Sequence, residues 1–420
     1  VAPKINKFYY YIKGLKMEFW FFFYSMILLL LLCNFMLPNR IKKEYMYLVI
    51  FFLWFIAAFR YQIGTDYSAY AEWFRAGPAS FDDVIWTYFY DSDNEREFMF
   101  LTMIWIIKTF DLNEQFMFVV IESIIIFFIY RGFRFYLIKY DRIALAFLLY
   151  AVIDVPGGYF YSLNGMRQSM AMAIVFFAST YYVRKRFFLY VLFIFLASLF
   201  HTSAVIALLV PALAKVTMSK KKMFGFIFVA ILFNLSLIPP KILVFILKNA
   251  PFYGARYGDV IGSVNLDFAS HIGIGLMLAA LIFLIVFLGG KYGKDTGWWE
   301  QCFSIAVLYV TMYIFVAYSI IVPPAAGIFS IWADVLTSLF HRVDAYFFLF
   351  YVIYTVHAVK ERIVFKNGVL KTMLYLSVVF ILFSMQSVRS MYHIQQNTIS
   401  TKLESQGNYD YRFNFDIFLR

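Results

Sequence analysis

The sequence predicts an all-α fold, a polytopic integral membrane protein with about 12–13 transmembrane or re-entrant helices. Three observations predict it. Of the 420 residues, 63% are apolar and only 15% are charged, where a soluble globule carries roughly 25% charged residues. Apolar runs of about 14–20 residues recur from end to end. Short basic runs punctuate them, as Lys and Arg do in cytoplasmic loops.

The spans fall near 19–38, 45–59, 98–110, 116–131, 143–161, 166–183, 187–200, 202–214, 223–238, 271–289, 302–322, 345–359 and 369–385. The first run ends "LLLLLCNFMLPNR" with no small-residue cleavage site, so it reads as a retained helix and not a signal peptide. Residues 1–16 read as a basic N-terminal extension, with Met17 as an alternative start, and 386–420 as a tail on the outer face. No segment is long enough for a separate soluble domain, so 1–420 reads as one membrane-embedded domain. Cys33 and Cys302 sit alone inside apolar runs and suggest neither a disulfide nor a metal site. The formal charge of +12 fits cytoplasmic loops better than nucleic-acid binding.

Charge bias orients the second half. Val183–Arg186, Lys215–Lys222 and Val359–Lys366 are basic and should be cytoplasmic. Parity then puts Leu163–Gln168, Leu199–Ala204, 239–270, 321–344 and the tail outside. In the first half, Arg40–Glu44 and Tyr130–Arg142 should be inside and the acid-rich 60–97 connection outside. These hold together only if 98–110 or 116–131 does not cross, so one of the two is expected to be re-entrant.

The outer face collects a particular set of side chains. "FRYQIGTDYSAYAEWF" supplies Arg60, Gly64, Asp66 and Tyr67; "LNGMRQ" supplies Asn164, Arg167 and Gln168; "FHTSA" supplies His201. Arg256 follows, then His341, Arg342 and Tyr346 in "FHRVDAYF", and Arg412 in "YDYRF". Arginine at a membrane boundary is costly unless solvated or paired. Several on one face suit a diphosphate, because guanidinium presents paired donors to phosphate oxygens; each alone can instead snorkel to headgroups. Asn164-Gly165 predicts a turn that leaves Arg167 and Gln168 in the first turn of a helix. The helix dipole disfavours cations there unless an anion is bound.

Asp66, after a Gly-Thr turn, can serve as a general base, can orient an arginine, or can pair with Arg60 as a solvated loop acid. His201 can be a base or a hydrogen bonder at a helix end. Glu122, mid-span, points either to a proton-coupled carrier or to a buried hydrogen bond with a neighbouring helix. "DSD", Asp91–Asp93, matches a metal–nucleotide pattern but has no α/β nucleotide domain beside it. The absence of a P-loop, a G-x-S-x-G elbow, paired zinc histidines and a Rossmann fingerprint argues against an ATP-driven pump or a zinc protease.

In this order, "FRYQIGTDYSAY", "EREFMFL" (Glu95–Leu101), "LNGMRQSMAMAI", "LASLFHTSAVI", "HRVDAYF" and "YDYRF" resemble the EpsG/Wzy-like family of membrane polysaccharide polymerases. The resemblance runs from about Phe59 to Phe413. It implies an enzyme that joins repeat units of O-antigen or exopolysaccharide carried on undecaprenyl diphosphate. The work would occur at the outer face of a bacterial inner membrane, beside a flippase and a chain-length regulator. Arg60, Arg167, Gln168, Arg342 and Arg412 would hold the diphosphate, with Asp66 the first choice of proton acceptor and His201 the second. Gly64, Tyr67, Asn164 and Tyr346 would line the sugar path. Metal and other cofactors are not required, because the donor is already activated. Two other readings remain: an O-antigen ligase, and a flippase or transporter of lipid-linked oligosaccharide.

Overall fold

The computed structural model describes residues 22–61, 63, 66–91, 94, 96–152, 157–214 and 345–360. Among them every regular element is helical and none is a strand. They fall into two compact units, parted between Leu208 and Leu209. The second holds the short α11 (Val210–Ala214) and α12 (Phe348–Ala358).

The first unit is built from α1 (Phe22–Met36), α2 (Lys42–Ala58), α3 (Tyr67–Arg75), α4 (Phe81–Phe89) and α5 (Phe98–Thr109). These are followed by α6 (Glu114–Leu137), α7 (Tyr140–Val152), α8 (Tyr159–Asn164), α9 (Met166–Val183) and α10 (Phe187–Ser198). Local chemistry sets several of these ends. Ser80 and Asp83 form a capping box at the start of α4. Asn113 caps α6, its side chain accepting from the Phe116 N–H at 3.2 Å. Lys108 Nζ donates to the carbonyls of Arg75 and Gly77 at 3.0 and 2.7 Å, satisfying the end of α3.

Side-chain pairs fix the register. Gln115 donates to the Ala58 carbonyl at 2.6 Å, Trp54 donates to Ser123 at 3.0 Å, and the Tyr47 and Tyr130 rings lie 6.4 Å apart. α2 and α6 are therefore antiparallel. α9 runs parallel to α6: Tyr136 meets Ser179 at 2.7 Å, and a Cβ on Gly132 would lie 2.3 Å from the Phe176 ring. Glycine is what permits that approach. α10 returns antiparallel to α9, with Phe177 against Phe193 at 5.3 Å and Tyr182 against Tyr190 at 5.8 Å.

α6 has 24 residues, about 36 Å at 1.5 Å per residue, and among the described residues it is the helix long and apolar enough to cross a membrane. α5 has 12 residues, about 18 Å, and shares the wall of an apolar groove with Phe116, Val120 and Ile124 of α6. Of the two segments in conflict over topology, α5 is thus the one that does not run the length of the bundle. Arg40–Glu44 and Tyr130–Arg142 then share one end, where Lys42 lies 3.7 Å from Asp141.

At the other end the apolar interior contains one ion pair. Arg60 and Glu122 are both fully buried, with Nη1 and Oε1 2.9 Å apart. Arg60 Nη1 also donates to the Ala57 carbonyl, its Nη2 lies 2.9 Å from Met166 Sδ, and its guanidinium lies 5.1 Å from the Phe118 ring centre. Of the openings left by sequence, Glu122 therefore takes the buried hydrogen bond to a neighbouring element.

Removing one member strands a buried charge, whereas replacing both with apolar side chains of similar volume does not. Glu122→Ala should therefore destabilise the detergent-purified protein by about 3–5 kcal/mol. The double change Arg60→Met with Glu122→Leu should bring the unfolding midpoint back close to wild type. A double variant no more stable than Glu122→Ala would remove the assigned role of the pair.

Candidate functional site

The residue beside Met166 is Arg167, in the first turn of α9 after the break at Gly165. This is the turn and register that "NGMRQ" predicts. The anion that Arg167 meets is a protein group. Its Nη1 donates to Glu97 Oε2, at the position that precedes α5. The other oxygen of Glu97 lies 2.7 Å from His201 Nδ1, just past the end of α10. A backbone bond between the Met99 N–H and the Leu199 carbonyl, 3.0 Å, ties those two segments together.

Aromatic rings wall the cluster. The Arg167 guanidinium lies 4.8 Å from the Trp73 ring centre and 5.8 Å from that of Phe100. The Tyr70 hydroxyl accepts from the Arg167 backbone N–H at 3.4 Å. Arg96, half-buried, is anchored through its Nε–H to Asn94 Oδ1 at 2.9 Å. That leaves its two terminal nitrogens with no hydrogen bond among the described residues.

The electrostatics favour the ionised form of Glu97. Burial alone would raise the pKa of Glu97. The His201 hydrogen bond and the Arg167 charge outweigh it and hold the carboxyl below its ordinary value. An ionised carboxylate can only accept, so His201 Nδ1 donates to it, and in the neutral imidazole Nε2 then holds the lone pair. The His201 side chain keeps 16% of its surface open. Burial lowers the pKa of Arg96; the carboxylate of Asp91 opposes the shift and the positive charge of Arg167 adds to it. Two guanidiniums are thus held near each other with one carboxylate within hydrogen-bond reach of Arg167, an arrangement that favours a further anion. Chemically, the cluster offers an anion hold beside an oriented imidazole base.

The structure distributes the sequence candidates unevenly. Arg167 and His201 come together. Asp66 is exposed at the N-cap of α3, close enough for its charge to act on Tyr70. Arg60 is corrected: with no exposed surface it serves as counter-ion to Glu122 and presents nothing to a diphosphate. Tyr67 is corrected likewise, because its ring stacks on Phe118 at 4.5 Å inside the core. Gln168 is buried, and its side-chain carbonyl accepts from the Tyr161 hydroxyl at 2.6 Å. Asn164 is half-buried and donates to the Phe160 carbonyl at 3.4 Å, as a helix end does. Tyr346 is buried in the second unit. Gly64, Arg256, His341, Arg342 and Arg412 lie outside the described residues. Sequence reasoning missed Glu97, Arg96, Tyr70 and Trp73. The available signal was the pair Arg96-Glu97 directly before an apolar run, inside a motif already noted as "EREFMFL".

Because the folded pKa of Glu97 is lowered, its contribution to stability is complete above the unfolded value and is lost as pH falls through the folded one. The gap in unfolding midpoint between wild type and Glu97→Gln should be constant above the ordinary value of 4.5. Below it, the gap should close. A gap independent of pH down to the acid limit of folding would show that the carboxylate charge does not matter.

No curated protein and no solved structure matches the chain. A family model does, over residues 43–400, which takes in α2 to α12 and every residue of the cluster. The chain belongs to the EpsG family.

Proposed function

We propose that the protein is a membrane polysaccharide polymerase. It joins undecaprenyl-diphosphate-linked oligosaccharide repeat units at the outer face of a bacterial inner membrane. The observation that carries this reading is the Arg167–Glu97–His201 cluster in a chain of the EpsG family. The orientation rests on register and charge. The cluster lies at the end of the bundle opposite Arg40–Glu44, Arg134 and Arg184, and basic ends face the cytoplasm.

The reaction follows from the cluster. An acceptor sugar hydroxyl attacks the anomeric carbon of the donor glycan. The bond from that carbon to the diphosphate oxygen breaks, and its electron pair leaves with the lipid diphosphate. Arg167 and Arg96 stabilise the charge that builds there. His201 Nε2 takes the hydroxyl proton, and Glu97 stabilises the imidazolium that results. His201 replaces Asp66 as first choice because its tautomer and position are fixed by Glu97, whereas Asp66 stands exposed at a helix start. The pairing of Glu122 with Arg60 engages the acid that argued for a proton-coupled carrier.

Purified protein given a lipid-linked repeat unit in detergent should yield a ladder of longer glycans. His201→Ala should slow it by about 10²–10⁴-fold. Arg96→Ala should weaken use of the lipid-linked donor, and Asp66→Asn should leave the ladder largely intact. If no glycan lengthens while liposomes carrying the protein move lipid-linked sugar across the bilayer, the chain is a transporter.

A further inference from the structure

The turn between α9 and α10 carries Arg184, Lys185 and Arg186 in a row, all exposed. Both bonds of a Schellman cap close it. The Lys185 N–H donates to the Tyr182 carbonyl and the Arg186 N–H to the Tyr181 carbonyl, each at 2.9 Å. Lys185 holds the left-handed position of that cap, φ 59°, where glycine is usual and a lysine strains the backbone. The turn lies against α6. The Arg184 guanidinium sits 4.4 Å from the Phe135 ring centre and 6.0 Å from that of Tyr181. Exposed Arg131 stands one turn before Phe135 on the same face of α6. Among the described residues no carboxylate lies within ion-pair reach of these four cations; at this end of the bundle Asp141 faces Lys42 instead, at 3.7 Å.

A continuous seam of rings leads away from Arg184 across α9, α10 and α6. Tyr181 stacks on Phe193 at 5.3 Å, Phe193 meets Phe177 at 5.3 Å, and Phe177 meets Phe128 at 5.4 Å. Phe127, Phe188 and Phe195 are each more than half exposed on the same two outer helices. Cations and seam are joined by contact, since Tyr181 belongs to both. Cations without an acid above rings without a cover suit an anionic headgroup that carries acyl chains. We propose that this seam binds an anionic phospholipid such as phosphatidylglycerol. Arg184 and Arg131 hold its phosphate, and its acyl chains lie along Phe128, Phe193 and Tyr181. The site is at the opposite end of the bundle from the Arg167–Glu97–His201 cluster. It needs only a membrane setting, so it stands whether or not the chain lengthens a glycan. A diffuse attraction of basic residues for an anionic leaflet would be shared by every cation at this end. A built site depends on the cations that touch the rings.

Phosphatidylglycerol with a diazirine on one acyl chain is crosslinked to the full-length protein in detergent, and the label is mapped by mass spectrometry. Labelling should saturate and fall on 127–135 and 177–195. Unlabelled phosphatidylglycerol should displace it, and phosphatidylcholine, with the same phosphate but no net charge, should not. Arg131→Gln and Arg184→Gln should each weaken binding at least about fivefold, at an unchanged unfolding midpoint in lipid-free detergent. If one of them fails to fold, the other decides. Arg40→Gln, in the connection between α1 and α2, should bind as wild type does. Equal loss in Arg40→Gln overturns the proposal, because the attraction would then be diffuse. Label spread evenly over other helices does the same. Displacement by inorganic phosphate or polyglutamate as effective as by phosphatidylglycerol also overturns it, since the cations would then serve a soluble anion or an acidic partner.

Discussion

The Arg60–Glu122 pair is the interaction on which the rest of the first unit hangs. A guanidinium and a carboxylate without exposed surface persist in an apolar interior only because each answers the other. Their positions join three pieces at one point: the end of α2, the middle of α6 and, through Met166, the start of α9. The Ala57 carbonyl, one of the orphan acceptors at the end of α2, is satisfied by the same guanidinium, and Gln115 satisfies its neighbour at Ala58. Since Met166 and Arg167 are consecutive, the pair also sets where the functional arginine emerges. Arg60 acts on the site from behind it.

Glu97 plays the corresponding part in front. It accepts from Arg167 with one oxygen and from His201 with the other, so one carboxylate orients both the anion hold and the base. This division has a physical consequence. Two guanidiniums near each other repel unless an anion lies near, and Glu97 accepts from only one of them directly. Arg96 is left with Asp91 as its acidic neighbour, so its terminal nitrogens, and not a surplus of charge, are what the cluster offers to a ligand. The Trp73 and Phe100 rings around Arg167 lower the local dielectric and exclude water, which strengthens whatever anion is held.

The helical class was legible because apolar runs and basic punctuation are global features of the chain. Of the site, Arg167 and His201 were legible because each breaks an apolar context next to a turn or helix junction. Glu97 was not, because an acid in the acid-rich connection "DSDNEREF" looks like its neighbours. Only tertiary contact, at a separation of 70 residues from Arg167 and 104 from His201, distinguishes it. Arg60 was misassigned for the mirror-image reason. At the edge of an apolar run it looked like a boundary arginine, and its partner lies 62 residues away in another helix. Tyr67 failed similarly, since a tyrosine bound for a core stack with Phe118 has the same local sequence as one bound for a ligand.

Topology, which charge counting left in conflict, reduces to a single choice once these contacts are known. The 60–97 connection ends at Glu97, and Glu97 touches Arg167 and His201, so the three segments share one end of the bundle. The antiparallel register of α2 with α6 and the parallel register of α6 with α9 carry Tyr47, Tyr130 and Arg184 to the other. No pairing remains in which the acidic connection and the "NGMRQ" turn face opposite sides. Which end would meet the cytoplasm is then a question of charge, and the proposed orientation draws on the basic residues for it. Arg40, Lys42, Lys43, Arg131, Arg134, Arg142, Arg184, Lys185 and Arg186 all belong to the end away from the cluster. On the proposed reading, the positive-inside rule applied to the bundle as a whole asks for a site that faces away from the cytoplasm.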